Sequence, residues 1–348
     1  MLALALETSC SGTDPRSFAL GLLGGRSERA LVARPPVPPI NLRVDVRLPV
    51  EAEVGHGQAH GHEYAQNAER YREWELAELL QAMATRPVRR VLGNYRSTSP
   101  IYRLELEGGL QIGFKPAIPG QETWWRHDVV AYRLARVLGI QARVPPAVAR
   151  RVRVEDLGDA VRADGLITAA DDHGFVPGVA IFWLPVLRTT FLDWSSHRAQ
   201  WQPWMEARRP PPEGRDGELA AEISSVLVFD YLQANEDRWN DANIRADEND
   251  HLVYRDNNVG WFLAKMQDVT WGRDTLGGTQ RFSRSLVDAL ERATPDALRE
   301  EIARADDAGV RLIDERVLRA YGARQREVLR YVRRLRERYG DEAVLPWR

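Results

Sequence analysis

Residues Asp230 to Phe262 read DYLQANEDRWNDANIRADENDHLVYRDNNVGWF, and the rest of the chain is best read outward from them. Two acid-bearing clusters lie in this stretch. The first is Asp237-Arg238-Trp239-Asn240-Asp241-Ala242-Asn243; the second is Asp256-Asn257-Asn258, directly after the apolar run Leu252-Val253-Tyr254. Between them, Asp247, Glu248, Asn249 and Asp250 are turn formers of the kind that join two short strands. Carboxylates and amides on the two arms of such a hairpin form an all-oxygen donor set. Magnesium, manganese and calcium prefer that set, and it can also position a hydroxyl for attack.

Upstream, Glu218 to Gln233 carries a helical stripe of Ile223, Val226, Leu227, Asp230 and Tyr231 that runs straight into the hairpin. Further back come short strands. Val88–Leu92 is one. Ile101–Glu107 alternates Tyr102, Leu104 and Leu106 against Arg103, Glu105 and Glu107, and Leu110–Phe114 ends in Lys115-Pro116. A helix over Thr123–Leu138, closed by Gly139, separates these from strands at Ala147–Val152 and Val179–Leu184. Arg198–Asp216, with three consecutive prolines, reads as a polar surface flap. Helices follow at Ser283–Leu290, Pro295–Ala305 and Val317–Tyr339, the last with Arg and Glu spaced for a solvated face. Strands with one helix, a connector, then helices around a metal-type hairpin describe an α+β, bilobed, ATP-grasping architecture. The expected domains are an extension over 1–85, a small β-rich N-lobe over 86–185 and a mostly helical C-lobe over 186–348. Within the extension, Arg34–Pro39 is a stiff polyproline-like segment and Asn41–Val50 a half-buried strand pattern. His56, His60, His62 and Glu63 sit in a glycine-rich loop, read as solvated and not as a metal site, before a helix over Tyr64–Met83.

The 348 residues suffice for two lobes, and 44% hydrophobic content supplies ordinary cores. A net charge of -2 gives no reason to expect nucleic acid or an acidic membrane as partner. Cys10 is the single cysteine, which excludes an intrachain disulfide and a cysteine-rich metal centre. The apolar N-terminus stops at Glu7 without a basic lead, and no run reaches membrane-spanning length. The expected compartment is therefore cytoplasmic, or secreted if the start lies further upstream. Of the 48 basic residues only Lys115 and Lys265 are lysine. In so arginine-rich a chain, Lys115 is read as a place where a compact point charge serves better than a planar fork, while Lys265 has no supporting context and is read equally as a chance survivor.

Phosphoryl transfer uses all of these parts. A loop between the first two strands can cover phosphates, and a strand-borne lysine can balance their charge. A helix carboxylate can hold that lysine, an aspartate can orient the attacking hydroxyl, and an Asn–Asp pair can hold a divalent ion. The matching positions are the loop from Gly93 to Pro100 with Ser97 and Thr98, then Lys115, Asp128 or Glu122, Asp237, and Asn243 with Asp256. Asp128 faces the same way as Tyr132 one turn on, and so toward the cleft.

The runs RHDVVAYRLARVLGIQARVPP (Arg126–Pro146) and VFDYLQANEDRWNDANI with YRDNNVGWF (Val228–Phe262) resemble the kinase group named family with sequence similarity 20, which includes uncharacterised bacterial members. More distantly the layout is similar to HipA-type and phosphatidylinositol kinases. The resemblance covers about Val88 to the C-terminus. It implies an atypical protein-kinase-like fold that uses ATP with Mg2+ or Mn2+, and a protein or carbohydrate acceptor. It further implies Lys115 as phosphate-binding lysine, Asp128 as its helix partner, Asp237 as catalytic base, Asn243 on the metal side and Asp256 as main metal ligand. Three departures stand out. The relatives usually place glutamate where this chain has Asp128, which keeps Glu122 in play. Asp237 and Asn243 are six residues apart where HipA-like kinases use five, which keeps Asn240 in play. The animal secreted kinases carry disulfides that this chain cannot form. An active kinase is the leading reading, with a pseudokinase or nucleotide-binding scaffold and an AMP transferase as alternatives. Trp194, Trp201, Trp204 and the Arg208–Arg215 loop are either an acceptor surface or lobe packing. Oligomeric state is not legible.

Overall fold

The structure, a computed structural model, describes residues 75–95, 99–158, 169–184, 187–192, 195–239, 243–270, 272–304 and 311–348. Ser97, Thr98, Trp194, Asn240, Asp241, the strand expected over Asn41–Val50 and the His56–Glu63 loop lie outside these residues, as does the start of the helix expected from Tyr64.

The N-terminal half is built on a five-stranded antiparallel sheet in the order β1-β2-β3-β5-β4. Its strands are β1 (Val88–Tyr95), β2 (Ile101–Leu106), β3 (Gln111–Pro116), β4 (Ala147–Arg153) and β5 (Phe175–Phe182). Helix α1 (Leu76–Thr85) packs on β4, where the buried Arg150 donates to the Met83 carbonyl at 2.6 Å. Helix α2 (Trp124–Val137) covers the sheet with Val129, Val130, Tyr132 and Leu134. Its end is the one expected: Gly139 takes a φ of +71° and the Ile140 N–H returns to the Ala135 carbonyl at 2.9 Å. The alternation along β2 suggests that Arg103 and Glu105 face water, yet both are buried. Glu105 is covered by Arg89 and Arg90, each 2.7 Å from its carboxylate. Arg103 donates to the Gln111 amide oxygen and lies over the Trp183 ring. A polar residue on a strand can thus be buried when long neighbouring side chains satisfy it.

The C-terminal half is helical. A small second sheet, β6 (Arg188–Thr189), β7 (Ile244–Ala246) and β8 (Leu252–Tyr254), contains the expected hairpin plus a third strand. Asp247 forms the turn by accepting from the backbone N–H groups of Asn249 and His251. The Arg198–Asp216 segment is not a flap. Helix α3 (Ser195–Trp201) and a 3-10 turn over Gln202–Met205 occupy its first part, with Trp201 and Met205 buried, and helix α4 (Gly214–Gln233) has begun by its end. Arg281, fully buried, donates to the carbonyls of Trp204, Arg209 and Pro210 and fastens the rest from below. Polar composition concealed this because the anchor lies 71 or more residues from the carbonyls it holds.

Every residue of α4 from Ile223 to Gln233 is buried, which makes it the central helix of the lobe and not an amphipathic surface helix. It packs against α6 (Arg273–Gly277) and α9 (Glu315–Tyr339), and α5 (Leu263–Gln267), α7 (Arg284–Arg292), α8 (Pro295–Ala303) and α10 (Asp341–Val344) pack on α9. Helix α9 is solvated on one side only; Val317, Leu318, Tyr321, Val328 and Val332 enter the core. Among the described residues no helix is long and apolar enough to cross a membrane.

Candidate active site

Lys115 sits next to the end of β3, a strand with no exposed residue, and its ammonium is almost entirely buried. Burying one ammonium is costly unless carboxylates compensate. Two do. Asp128, on the first turns of α2, lies 3.0 Å from Nζ, and Asp256, just after β8, lies 2.6 Å from it. Burial lowers the Lys115 ammonium, but the two acids outweigh that and push it up to about 12. The same contact, working against burial, holds the Asp256 carboxyl below its ordinary range.

Asp128 does more than pair. Its second oxygen accepts the Asn257 backbone N–H at 2.8 Å, so one short side chain on α2 holds both the lysine and the loop after β8. The neighbouring His127 is bonded to the Asn258 carbonyl at 2.7 Å and meets the Phe262 ring edge-on. Asp256 itself adopts a left-handed φ of +59°, a conformation that aspartate tolerates and that turns its carboxylate back toward Lys115. Glu122 does not reach the lysine. It is exposed and caps a turn by accepting the Gly120 N–H at 2.8 Å.

Across the cleft, the chain leaves α4 through Ala234 in a left-handed conformation and enters the Asp237 loop. The Asn243 amide donates to the Asp237 carbonyl at 2.7 Å and to its carboxylate at 2.9 Å. Six-residue spacing therefore suffices for contact. With its NH2 so engaged, Asn243 keeps an amide oxygen for another ligand.

Arg238 is the residue that motif reading passed over. It is fully buried and spans the whole construction. Its guanidinium donates to both oxygens of Asp230 at 3.1 and 3.2 Å, to the Asn243 carbonyl at 3.1 Å, and to the Arg255 carbonyl and the Asn257 side chain. The planar fork is suited to such a set of divergent acceptors. Burial, opposed by Arg238, raises the Asp230 carboxyl to about 6. One signal was in the sequence: an acid on an otherwise apolar helical stripe needs a buried cation, and an arginine eight residues on is within reach.

Between the halves lies a cavity of about 440 Å³. Lys115, Asp128, Asn243, Arg255, Asp256 and Asn257 line its polar end; Ile101, Val144, Ile181, Phe182, Leu184 and Leu187 line the apolar remainder. Tyr95 and Trp183, stacked at 5.6 Å, also border it. Gly93 is in β1 near Tyr95 but does not line this cavity. Of the tryptophans expected as lobe packing or acceptor surface, Trp201 and Trp204 pack: Trp204 lies half-buried against the core, and Trp201 donates to the Leu192 carbonyl and stacks on Trp239 at 5.4 Å, with Arg198 over the Trp239 ring. Among the described residues no three His, Cys, Asp or Glu side chains gather as a metal cluster. One carboxylate with one amide oxygen still fits magnesium or manganese, which take few protein ligands when phosphate and water oxygens complete the shell.

A five-stranded antiparallel lobe, a helical lobe and a polar-ended cavity between them define a bilobed, kinase-like fold. Solved structures with this fold include the Golgi casein kinase, with a TM-score of 0.55 and 15% identity over 78% of this chain and 77% of that one. The same kinase with Mn/ADP bound matches at 0.55 over 83% and 89%. Hydra Fam20 with sugar matches at 0.55 and 17% identity over 78% and 91%. These similarities establish the fold. No family model matches the chain. Among curated proteins it is 27% identical over 210 residues to Four-jointed box protein 1 of Mus musculus and of Homo sapiens. That covers 53% of this chain and 44% and 46% of theirs, so the chain spans less than half the length of these relatives.

Proposed function

We propose that this chain is an ATP-dependent kinase that transfers the γ-phosphoryl group to a hydroxyl of a protein or glycan acceptor with Mg2+ or Mn2+. The observation that carries the reading is Lys115, held between Asp128 and Asp256 at the polar end of a cavity whose other end is apolar. An apolar slot for a base beside a fixed cation for phosphates is what a nucleoside triphosphate requires. The Mn/ADP complex of the Golgi casein kinase and the sugar complex of hydra Fam20 support the same classes of ligand.

In this proposal Lys115 balances phosphate charge and Asp128 fixes its position. The loop from Gly93 to Pro100 would cover the phosphates, with Ser97 and Thr98 as its donors and Gly93, set back from the cavity lining, as its base. Asp237, oriented by Asn243, takes the proton of the acceptor hydroxyl as its oxygen bonds to the γ-phosphorus and the bond to the ADP oxygen breaks. Asp256 and Asn243 would hold the divalent ion, which supplies neutralisation of phosphate charge when bound. The proposed division is an extension over 1–85, an N-lobe over 86–185 and a C-lobe over 186–348, with helix α1 of the extension packed on β4.

Incubating the chain with ATP, manganese and a panel of proteins and glycans tests the reading. Transfer of phosphate is expected, with Asp256→Ala and Lys115→Met each reducing it at least about 100-fold. Parent-like transfer by Asp256→Ala sinks the assignment. Stabilisation by ADP without turnover on any acceptor would make the chain a nucleotide-binding scaffold, and the mass of a labelled product separates phosphate from AMP transfer.

A further inference from the structure

Four charged side chains line the cavity: Lys115, Asp128, Arg255 and Asp256. Three of them are committed to one another, since the lysine lies within 3.0 Å of both carboxylates. Arg255 is not. Among the described residues its guanidinium has no hydrogen-bond or ion-pair partner. Its backbone, by contrast, is fastened at both ends. The Arg255 N–H donates to the Asn243 carbonyl at 3.3 Å, and its own carbonyl accepts from the buried Arg238. The residue is thus rigidly placed while its charge is left uncommitted. It is half-buried, adjacent in sequence to Asp256, and close enough for its charge to act on that carboxyl.

An uncommitted guanidinium in a partly desolvated cavity has a strong preference for an anion. The four charges of the lining sum to zero, and Lys115, within 3.0 Å of both carboxylates, has two of its three ammonium donors occupied. A polyphosphate entering this end would meet Arg255 as the free donor. Its planar fork matches two phosphate oxygens at once, which an ammonium cannot do.

We infer that Arg255 is a phosphate-binding residue of the nucleotide cleft, acting beside Lys115 on the phosphate chain of the nucleotide. The inference rests on the nucleotide reading proposed above and adds a contact that no motif assigns. A carboxylate or phosphate on the acceptor is the other anion open to the guanidinium. The position favours the nucleotide, because Arg255 lines the same cavity as Ile181, Phe182 and Leu184, the apolar part assigned to the base.

Calorimetric binding of ADP and of adenosine to the full chain, each with manganese and with chelator, tests this. The parent is expected to bind ADP more tightly than adenosine. Arg255→Gln should weaken ADP about tenfold, the effect of losing one charge-assisted contact, while adenosine stays within about twofold. Arg255→Lys should recover part of the loss. The melting temperature without ligand should be unchanged in both variants, because the guanidinium holds no protein group. Equal weakening of ADP and adenosine, or unchanged ADP binding by Arg255→Gln, overturns the inference and leaves the nucleotide reading standing. Unchanged ADP binding with poorer acceptor turnover overturns it in favour of an acceptor contact. Failure of the parent to bind ADP under either condition removes the nucleotide reading and the inference together.

Discussion

Asp230 and Arg238 brace the candidate site without lining its cavity. The pair is buried, and through Arg238 it fixes the Asn243 carbonyl, the Arg255 carbonyl and the Asn257 side chain. Asp230 titrates near 6 when folded, against 3.8 for an unperturbed aspartate. Between those values the folded chain binds more proton than the unfolded one. This group's contribution to stability is therefore greatest below about pH 4 and declines as pH rises to about 6. Urea unfolding of the parent and of Asp230→Asn at pH 5 and pH 7 measures the effect. The stability of the parent relative to the variant should fall by roughly 1 kcal/mol over that interval, since a tenfold change in proton affinity between folded and unfolded chain is worth about 1.4 kcal/mol. A gap independent of pH would mean that Asp230 is already ionised at pH 5.

The strand that carries Lys115 depends on a glycine in its neighbour. Gly178 on β5 faces Pro116 across the sheet, and a Cβ there would lie 2.4 Å from the Lys115 carbonyl and 2.6 Å from the Phe114 ring. Neither can retreat, because β3 is buried along its whole length between β2 and β5. Gly178→Ala is expected to destabilise the chain by about 1–3 kcal/mol through overpacking and to weaken nucleotide binding by shifting β3. Equilibrium denaturation checks the first part, and unaltered stability would contradict the packing described. The five strands of the larger sheet and the β7–β8 hairpin were legible from alternation and turns, to within a few residues, whereas β6 was not expected. The need for glycine at 178 was not, since its φ is ordinary and the close approach comes from a partner strand more than sixty residues earlier. Helix α3 was missed for a related reason: its polar sequence offers no stripe, and its place is set by burial of Trp201 and Met205.

Across the molecule, α2 joins the two lobes at both of its ends. Glu301 on α8 is buried and lies 2.5 Å from Arg136 and 3.7 Å from Arg133, both on α2, with Arg304 at 3.0 Å on its other oxygen. At the opposite end of the helix, Arg126 donates to the Arg311 carbonyl and Asp128 holds Asn257. Glu301→Ala removes the buried carboxylate that Arg133, Arg136 and Arg304 share. A loss of about 3 kcal/mol is expected, together with weaker ADP binding as α2 loosens its hold on Asp128. Thermal melts and ADP titration read both, and an unchanged melting temperature would show that the contact carries no net stability. By itself the sequence determined the local elements and the acids worth attention. Periodicity, turn chemistry and a scarce lysine are local signals, and Asp128, Asp237, Asn243 and Asp256 could be named from them. Only the tertiary structure decided that Asp128 and not Glu122 meets Lys115, that Asn243 reaches Asp237, and that Arg238 binds the parts while Arg255 stays uncommitted. Lys115 and Asp256 are 141 residues apart, and contacts at that distance follow from sheet order and lobe packing, which no local pattern encodes.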